Sequence, residues 1–349
     1  MDEEIYMRRC IELARNGLCR TAPNPMVGAV ITYDGKIIGE GYHARCGQAH
    51  AEVRAIQSVR DPRLLSRSTL YVSLEPCAHQ GKTPPCADLI IRKGIPRIVI
   101  GCQDPFAQVN GRGIQKLLEA GREVKVGVLE QECRQLIRRF ITFHTQGRPY
   151  VTLKWAESED GYVDHVRNEG QPAQLSTPLT AMRVHKLRAE HAAILVGTRT
   201  GQLDDPSLTV RNWAGPSPVR VVIDRRLILP PTLHLFDGTT PTIVFTQMRT
   251  NHLQPRPGVE WVSLPPSNDL LRPVLSALHE RNLQSVLVEG GPRLLQAFID
   301  ERLWDEAYVE ISPQRLGSGV AAPTMSRKFP CQSLQHFGHT IRHYTASYL

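Results

Sequence analysis

The sequence predicts an α/β fold in two domains, and three observations carry that expectation. The chain has 349 residues, 41% of them hydrophobic, which is long for one core and enough for two. Short apolar strands alternate with amphipathic helices through the first half, the pattern of a mainly parallel sheet covered by helices. Gly147-Arg148-Pro149 then interrupts that pattern before a new strand. The expected domains are therefore residues 1–146 and 147–349.

Composition narrows the classes. The net charge of +8 raises nucleic acid as a partner. However, the Lys and Arg are dispersed, aromatics are only 6%, and no basic stripe alternates with stacking residues, so no nucleic-acid partner is expected. No apolar run approaches 20 residues and no charged-then-apolar start is present, so neither a membrane span nor a signal peptide is expected. Eight cysteines without framework spacing fit a reducing cytoplasm.

In the first domain, residues 3–16 read as an amphipathic helix with Tyr6, Cys10 and Leu13 along one side, stopped by Gly17. Residues 27–31 and 36–40 read as strands around the hairpin turn Tyr33-Asp34-Gly35. Asn24 precedes this hairpin and His43 follows it. Both are candidates to line a pocket beside His50, although Asn24-Pro25 also has the chemistry of a plain turn. Residues 51–59 form the next helix, with Ala51, Ala55, Ile56 and Val59 on its apolar side. A strand at 69–74, a loop, a helix from Cys86 capped by Gly94, and a strand at 97–101 follow. Gly111-Arg112-Gly113 lacks the third glycine of a dinucleotide fingerprint and reads as a loop opening a helix at 114–120. A strand at 123–128 and one helix at 130–145 close the domain.

His50, Cys77 and Cys86 are the chemical centre of this half. One imidazole and two thiolates are three ligands for a tetrahedral zinc, leaving a fourth position for water, as catalytic sites do. Glu52 can shuttle protons without being a ligand. On a regular helix His50 and Glu52 would point about 200° apart, so both reach one site only from a helix's first turn. Nucleobase deaminases use H-x-E followed by P-C-x-x-C; here eight residues separate Cys77 from Cys86. The competing reading is a structural zinc with His79, Cys46 or His43 as fourth ligand, which would not need Glu52. Within the loop, Lys82 and Thr83 could hold a substrate phosphate; Lys82 is otherwise an exposed loop lysine.

The second domain opens with a strand at 150–156. Thr177-Pro178 starts a helix carrying His185, Lys186 and Arg188, followed by a strand at 192–196. Asp204-Asp205-Pro206 reads as a turn, with Arg211 beyond it as a candidate phosphate clamp. Strands at 219–224, 242–246 and 285–289 follow. The last leads through Gly290-Gly291-Pro292 into a helix at 293–302, a strand–turn–helix that suits an anion.

These residues carry a family resemblance. His50-Ala51-Glu52, the run from Pro76-Cys77 through His79-Gln80-Gly81-Lys82-Thr83 to Pro85-Cys86, and Asn24-Pro25 resemble the pyrimidine deaminase of riboflavin biosynthesis, whose loop has this longer spacing. Asp204-Asp205-Pro206-Ser207-Leu208-Thr209-Val210-Arg211 resembles the reductase half of the same bifunctional family. The resemblance implies a cytidine-deaminase-like α/β/α sandwich followed by a dihydrofolate-reductase-like α/β domain, with Zn2+ and NADPH as cofactors. It implies that Asn24, His43, Lys82 and Thr83 bind the deaminase substrate, and that Arg188, Leu208, Arg211 and Glu289 hold the phosphorylated sugar in the reductase. Ala156, Thr200, Asp204, Gly291, Pro292, Arg293, Leu294, Leu295, Gln296 and Ala297 are the implied cofactor contacts. Pro172-Ala173-Gln174-Leu175-Ser176 departs from the family's Ser-Gln-Trp-Ile-Thr, losing a serine and a tryptophan there. Ser176 and Thr177 stay as candidate contacts. The implied protein is a cytoplasmic homo-oligomer, dimer or tetramer, that deaminates a phosphoribosylated diaminopyrimidinone and then reduces its ribosyl group to ribityl. The alternative is a zinc deaminase acting on RNA or free nucleosides, with a second domain that is not a reductase.

Overall fold

The computed structural model describes residues 3–78, 84–106, 110–251 and 253–346. The chain separates into two compact units, Met1–Gly147 and Arg148–Leu349.

The first unit runs α1 (Glu3–Arg15), β1 (Gly28–Tyr33), β2 (Lys36–Tyr42), α2 (Ala51–Ser58), β3 (Thr69–Leu74), α3 (Cys86–Arg92), β4 (Arg97–Cys102), α4 (Arg112–Glu119), β5 (Glu123–Val126), α5 (Glu130–Leu136) and α6 (Arg138–Gln146). Its sheet has the order β2-β1-β3-β4-β5. The period of two along each strand sends alternate side chains to opposite faces. Tyr71 and Val99 thus meet α1, α5 and α6 on one face. Leu70, Val72, Ile98 and Ile100 meet α2, α3 and α4 on the other. This is an α/β/α sandwich. Only β3–β4 and β4–β5 are parallel; β1 pairs antiparallel with both β2 and β3. The sheet is therefore half antiparallel rather than mainly parallel, because the two-residue turn at Asp34-Gly35 forces a hairpin. The single helix expected at 130–145 breaks at Ile137, whose N–H is shared between the carbonyls of Cys133 and Arg134.

The second unit contains β6 (Tyr150–Glu157), β7 (Tyr162–Asp164), α7 (Pro178–Glu190), β8 (Ala193–Gly197), α8 (Thr198–Asp204), β9 (Val219–Ile223), β10 (Thr242–Thr246), β11 (Val259–Ser263), α9 (Leu271–Glu280), β12 (Ser285–Val288), α10 (Pro292–Asp300), β13 (Glu306–Ile311), β14 (Val320–Ala321), β15 (Cys331–His336) and β16 (His339–Thr345). The large sheet has the order β11-β10-β9-β8-β12-β6-β13-β16-β15. It is parallel from β11 to β13 and antiparallel at β16 and β15. Helices α9 and α10 cover one face, and α7 with the segment around Leu233–Phe236 covers the other. Thr177 caps α7 in a reciprocal box with Thr180, as its position before Pro178 suggested.

In this sheet β12 lies between β8 and β6, the strands that precede it in the chain. The chain reverses its direction of travel across the sheet around this point, and open α/β sheets place ligands at the carboxyl ends of strands at such a reversal. Ala156, Thr200, Glu289 and Gly291 sit at or just beyond those ends. Asp204, read as part of a turn, is instead the last residue of α8, and Asp205 caps it in the left-handed conformation.

Candidate functional site

In the first unit the local folding of α2 decides the geometry. His50 is the extended N-cap residue of α2, and Ala51 and Glu52 open its first turn. The helix end thus presents the imidazole and the carboxylate together, which a mid-helix position could not do. Cys86 opens α3, and Cys77 lies three residues beyond β3. The His50 Nδ1 atom is 3.7 Å from the Cys77 sulfur and 3.4 Å from that of Cys86. All three ligand atoms lie within 4.8 Å of one another. Bond lengths of 2.3 Å to sulfur and 2.0–2.1 Å to nitrogen at tetrahedral angles require N···S separations of about 3.6 Å. The donor set and its spacing therefore fit zinc. Among the described residues this is the one such group, and His43, a suggested fourth ligand, is not part of it. His79 lies outside the described residues.

The site's electrostatics are set by burial and by the sulfurs. Glu52 is 3% exposed. Burial first, then the charge of Cys77, pushes its carboxyl up to about 7. A hydrogen bond from Cys86, with a further contribution from His50, pulls the Cys77 thiol down to about 4, while the same sulfur contact raises Cys86. The Cys86 backbone N–H also points at the Cys77 sulfur, at 3.3 Å, as a helix N-terminus should toward a thiolate. His43 stands edge-on to His50, with ring centroids 5.3 Å apart. Its Nδ1 is 3.2 Å from the Ala49 carbonyl and its Nε2 is 3.1 Å from the Asn24 amide nitrogen. A carbonyl only accepts, so Nδ1 donates and Nε2 accepts from Asn24, leaving the Asn24 amide oxygen for another donor. Asn24, His43, His50 and Glu52 are thus brought together. Lys82 and Thr83 lie outside the described residues.

In the second unit, Glu289 follows β12 and Arg188 projects from α7. Their side chains form a two-pronged ion pair, with Nε–Oε1 at 2.8 Å and Nη2–Oε2 at 2.7 Å. Burial works to raise the Glu289 carboxyl, but Arg188, Lys154 and His185 together hold it below its ordinary value. Arg211 is exposed; its backbone N–H donates to Nδ1 of His185, and its guanidinium donates to the Thr209 hydroxyl. Receiving that bond leaves His185 Nδ1 unprotonated, in keeping with the downward shift that burial, then Arg188 and Arg211, impose on it. Lys154 and His185 had not been read as site residues. Their signal was a lysine near the end of a buried strand and a histidine one turn before Arg188.

The cofactor candidates divide. The Gly291 N–H donates to the Thr200 hydroxyl at 2.8 Å, which joins the α8 and α10 starts. A Cβ on Gly290 would lie 2.5 Å from the Val196 Cα, so only glycine permits this approach of turn to strand. Pro292 opens α10, Arg293 is exposed, and Leu294 and Ala156 are half-buried. Leu295 is 2% exposed in the core, and Ala297 packs against that core. Gln296 bonds Asp300 and the Thr324 N–H. These last three are thus engaged within α10 and its core rather than at the helix start. Leu208 likewise packs its side chain into the core. Asp204 is held by Arg167, which also pairs with Asp164 at 2.6 Å. Ser176 donates to Glu310 at 2.8 Å, while Thr177 is occupied as the α7 cap.

A model of the cytidine and deoxycytidylate deaminase zinc-binding region matches residues 1–102, and a model of the RibD C-terminal domain matches residues 149–341. The riboflavin biosynthesis protein RibD of Aquifex aeolicus is 40% identical over 320 residues, covering 90% of this chain and 88% of that one. The corresponding Bacillus amyloliquefaciens protein is 40% identical over 343 residues, covering 97% and 91%. The crystal structure of a diaminohydroxyphosphoribosylaminopyrimidine deaminase/5-amino-6-(5-phosphoribosylamino)uracil reductase from Thermotoga maritima is similar with a TM-score of 0.88 at 38% identity, over 98% of both chains.

Fold, metal-ligand geometry and matches together define a two-domain enzyme, a zinc-binding deaminase followed by a reductase. The chain belongs to the RibD family, the bifunctional deaminase–reductases of riboflavin biosynthesis. The alternative of a second domain that is not a reductase has no support, since that half matches the RibD C-terminal domain.

Proposed function

We propose that the first unit deaminates a phosphoribosylated diaminopyrimidinone and that the second then reduces its ribosyl group to ribityl with NADPH. The observation that carries this reading is the placement of Glu52 on the first turn of α2, two residues beyond the His50 cap, in contact with the Cys86 sulfur. His50, Cys77 and Cys86 would hold the zinc. When bound, zinc supplies Lewis acidity that makes water nucleophilic near neutral pH. Glu52 takes one proton from water as the water oxygen adds to the amino-bearing carbon, and gives it to the ring nitrogen. It then carries the second, from the new hydroxyl, to the amine, which leaves as ammonia as the C–N bond breaks and the carbonyl forms. A buried carboxyl poised near neutrality can do both. The Asn24 amide oxygen, freed by the bond to His43, accepts from the pyrimidine edge, and Lys82 and Thr83 are assigned to the phosphate.

In the second unit Arg211 binds the substrate phosphate, and the Arg188–Glu289 pair with the Leu208 backbone orients the sugar. Thr200, Asp204, the Gly291 turn through Leu294, and Ala156 are assigned to NADPH, which supplies hydride to the ribosyl carbon. The Gly290-Gly291 turn lets backbone N–H groups approach an anion at the α10 start. Leu295, Gln296 and Ala297 support that turn from behind. A cytoplasmic, homo-oligomeric enzyme completes the reading. Among the described residues no helix is long and apolar enough to cross a membrane. Strand β15 also leaves an exposed sheet edge open to a second copy.

The test is to incubate the protein with the diaminopyrimidine ribosyl phosphate, with and without NADPH, following ammonia and NADPH absorbance. Ammonia should appear without NADPH, and NADPH should be consumed only afterwards. Ammonia with no later loss of NADPH would remove the reductase assignment.

A further inference from the structure

Glu75 is a carboxylate that the deaminase chemistry does not use. It is the first residue after β3, two before Cys77, and it is 3% exposed. Its Oε2 accepts the backbone N–H groups of Asp104 at 3.2 Å and Gly111 at 3.0 Å. Its Oε1 accepts those of Gly113 at 2.9 Å and Ile114 at 3.3 Å. Two donors to each oxygen fill the carboxylate's capacity, and two of the four come from the first turn of α4. A second observation points the same way. A Cβ on Gly113 would lie 2.0 Å from the Pro76 carbonyl oxygen, so the first turn of α4 is pressed against the peptide preceding Cys77. On its other side Cys77 is tied to α3, since the Ala87 N–H donates to its carbonyl at 3.2 Å. Pro76 has no N–H to contribute, so the chain entering Cys77 is held at Glu75, by its backbone N–H on the Cys102 carbonyl at 3.0 Å and by its side chain on α4.

We propose that Glu75 is a positioning residue for the metal centre: through α4 it fixes Cys77 at the spacing from His50 and Cys86 that zinc requires. The inference rests on the zinc reading of that site. Groups that orient metal ligands without touching the metal typically change affinity by about 10–100-fold when altered. Glu75→Gln is a sharp variant, because either orientation of the amide turns its NH2 toward two backbone donors. The full-length variant should release zinc to a chelator about 10–100-fold faster than the parent. Its cobalt-substituted form should show a shifted thiolate-to-metal absorption. NADPH oxidation on the deaminated pyrimidine should be unchanged, which reports an intact second unit. Glu75→Asp keeps the charge but falls one methylene short, and it should lie between parent and Gln; it carries the test if the Gln variant does not fold. Parental zinc release and a parental cobalt spectrum in either folded variant, whatever the melting temperature, would overturn the proposal. A parent chain that takes up no zinc would overturn the site reading as well, and that outcome shows in the parent alone.

Discussion

The two sites are built in opposite ways. The deaminase centre draws on two helix starts and one strand end within residues 50–86, and its ligands face each other at metal distances. The candidate reductase site draws on β6, α7, the α8 region, the segment around Leu208–Arg211 and the turn after β12, and two of its charged groups are already paired, Glu289 with Arg188 and Asp204 with Arg167. A metal site can be specified by a short run of residues, because ligands must converge on a point. A site for two extended ligands needs contributions from many segments, each held in place by its own contacts.

Glu52→Gln should sharpen this contrast most. Loss of the proton shuttle should lower ammonia release by about 10²–10⁴-fold. Zinc content by metal analysis, and NADPH oxidation on the deaminated substrate, should not move. A variant with parental ammonia release would remove Glu52 from the mechanism.

Arg188→Ala should act on the second unit alone, and through stability as well as activity. It leaves the nearly buried Glu289 carboxylate without its two-pronged partner, a loss of about 3–5 kcal/mol for a buried pair. The pH dependence has a definite sign. The Glu289 carboxyl is depressed in the folded protein, so its contribution is present above the ordinary carboxylate value of 4.5 and fades as pH falls through the depressed one. The deficit of the variant, read from urea midpoints, should therefore be largest at neutral pH and shrink in acid. A deficit independent of pH would contradict the ion-pair account.

Arg211→Ala removes an exposed guanidinium rather than a buried one. It should raise KM for the phosphorylated substrate by about 10–100-fold, the range of one charge-assisted hydrogen bond, with kcat little altered. An unchanged KM would remove the clamp assignment. The smallest effect is expected at Asp160. Its carboxylate accepts from the Ser158 hydroxyl and from the Leu316 and Gly317 N–H groups, and is held at about 2. Its contribution is present above the ordinary value of 3.8 and lost as pH falls toward 2. Acid unfolding of Asp160→Asn should therefore differ from the parent above that window and converge with it below. Divergence that grows in acid would contradict this.

The same contrast explains what the sequence disclosed. His50, Glu52, Cys77 and Cys86 were legible because their chemistry is unusual and their spacing follows from two helix starts. Apart from β7 and β11, the strands through β12 were legible from short apolar runs. The last quarter was not: β13 buries the charged Glu306 and Glu310, and β15 is an exposed edge with almost no apolar face. Helix α8 hid behind Asp204-Asp205-Pro206, whose turn chemistry begins one residue later than it reads. Glu75 stood out in no motif, because its four bonds go to backbone groups that lie far along the chain.

One chain carries a zinc-binding deaminase and a reductase, and the zinc is expected to serve only the first. The most direct test is to strip the full-length protein of zinc and assay both reactions on their own substrates. Ammonia release should vanish and return with stoichiometric zinc, while NADPH oxidation on the deaminated pyrimidine persists throughout. Ammonia release that survives zinc removal, or a reductase that fails with it, would contradict the account.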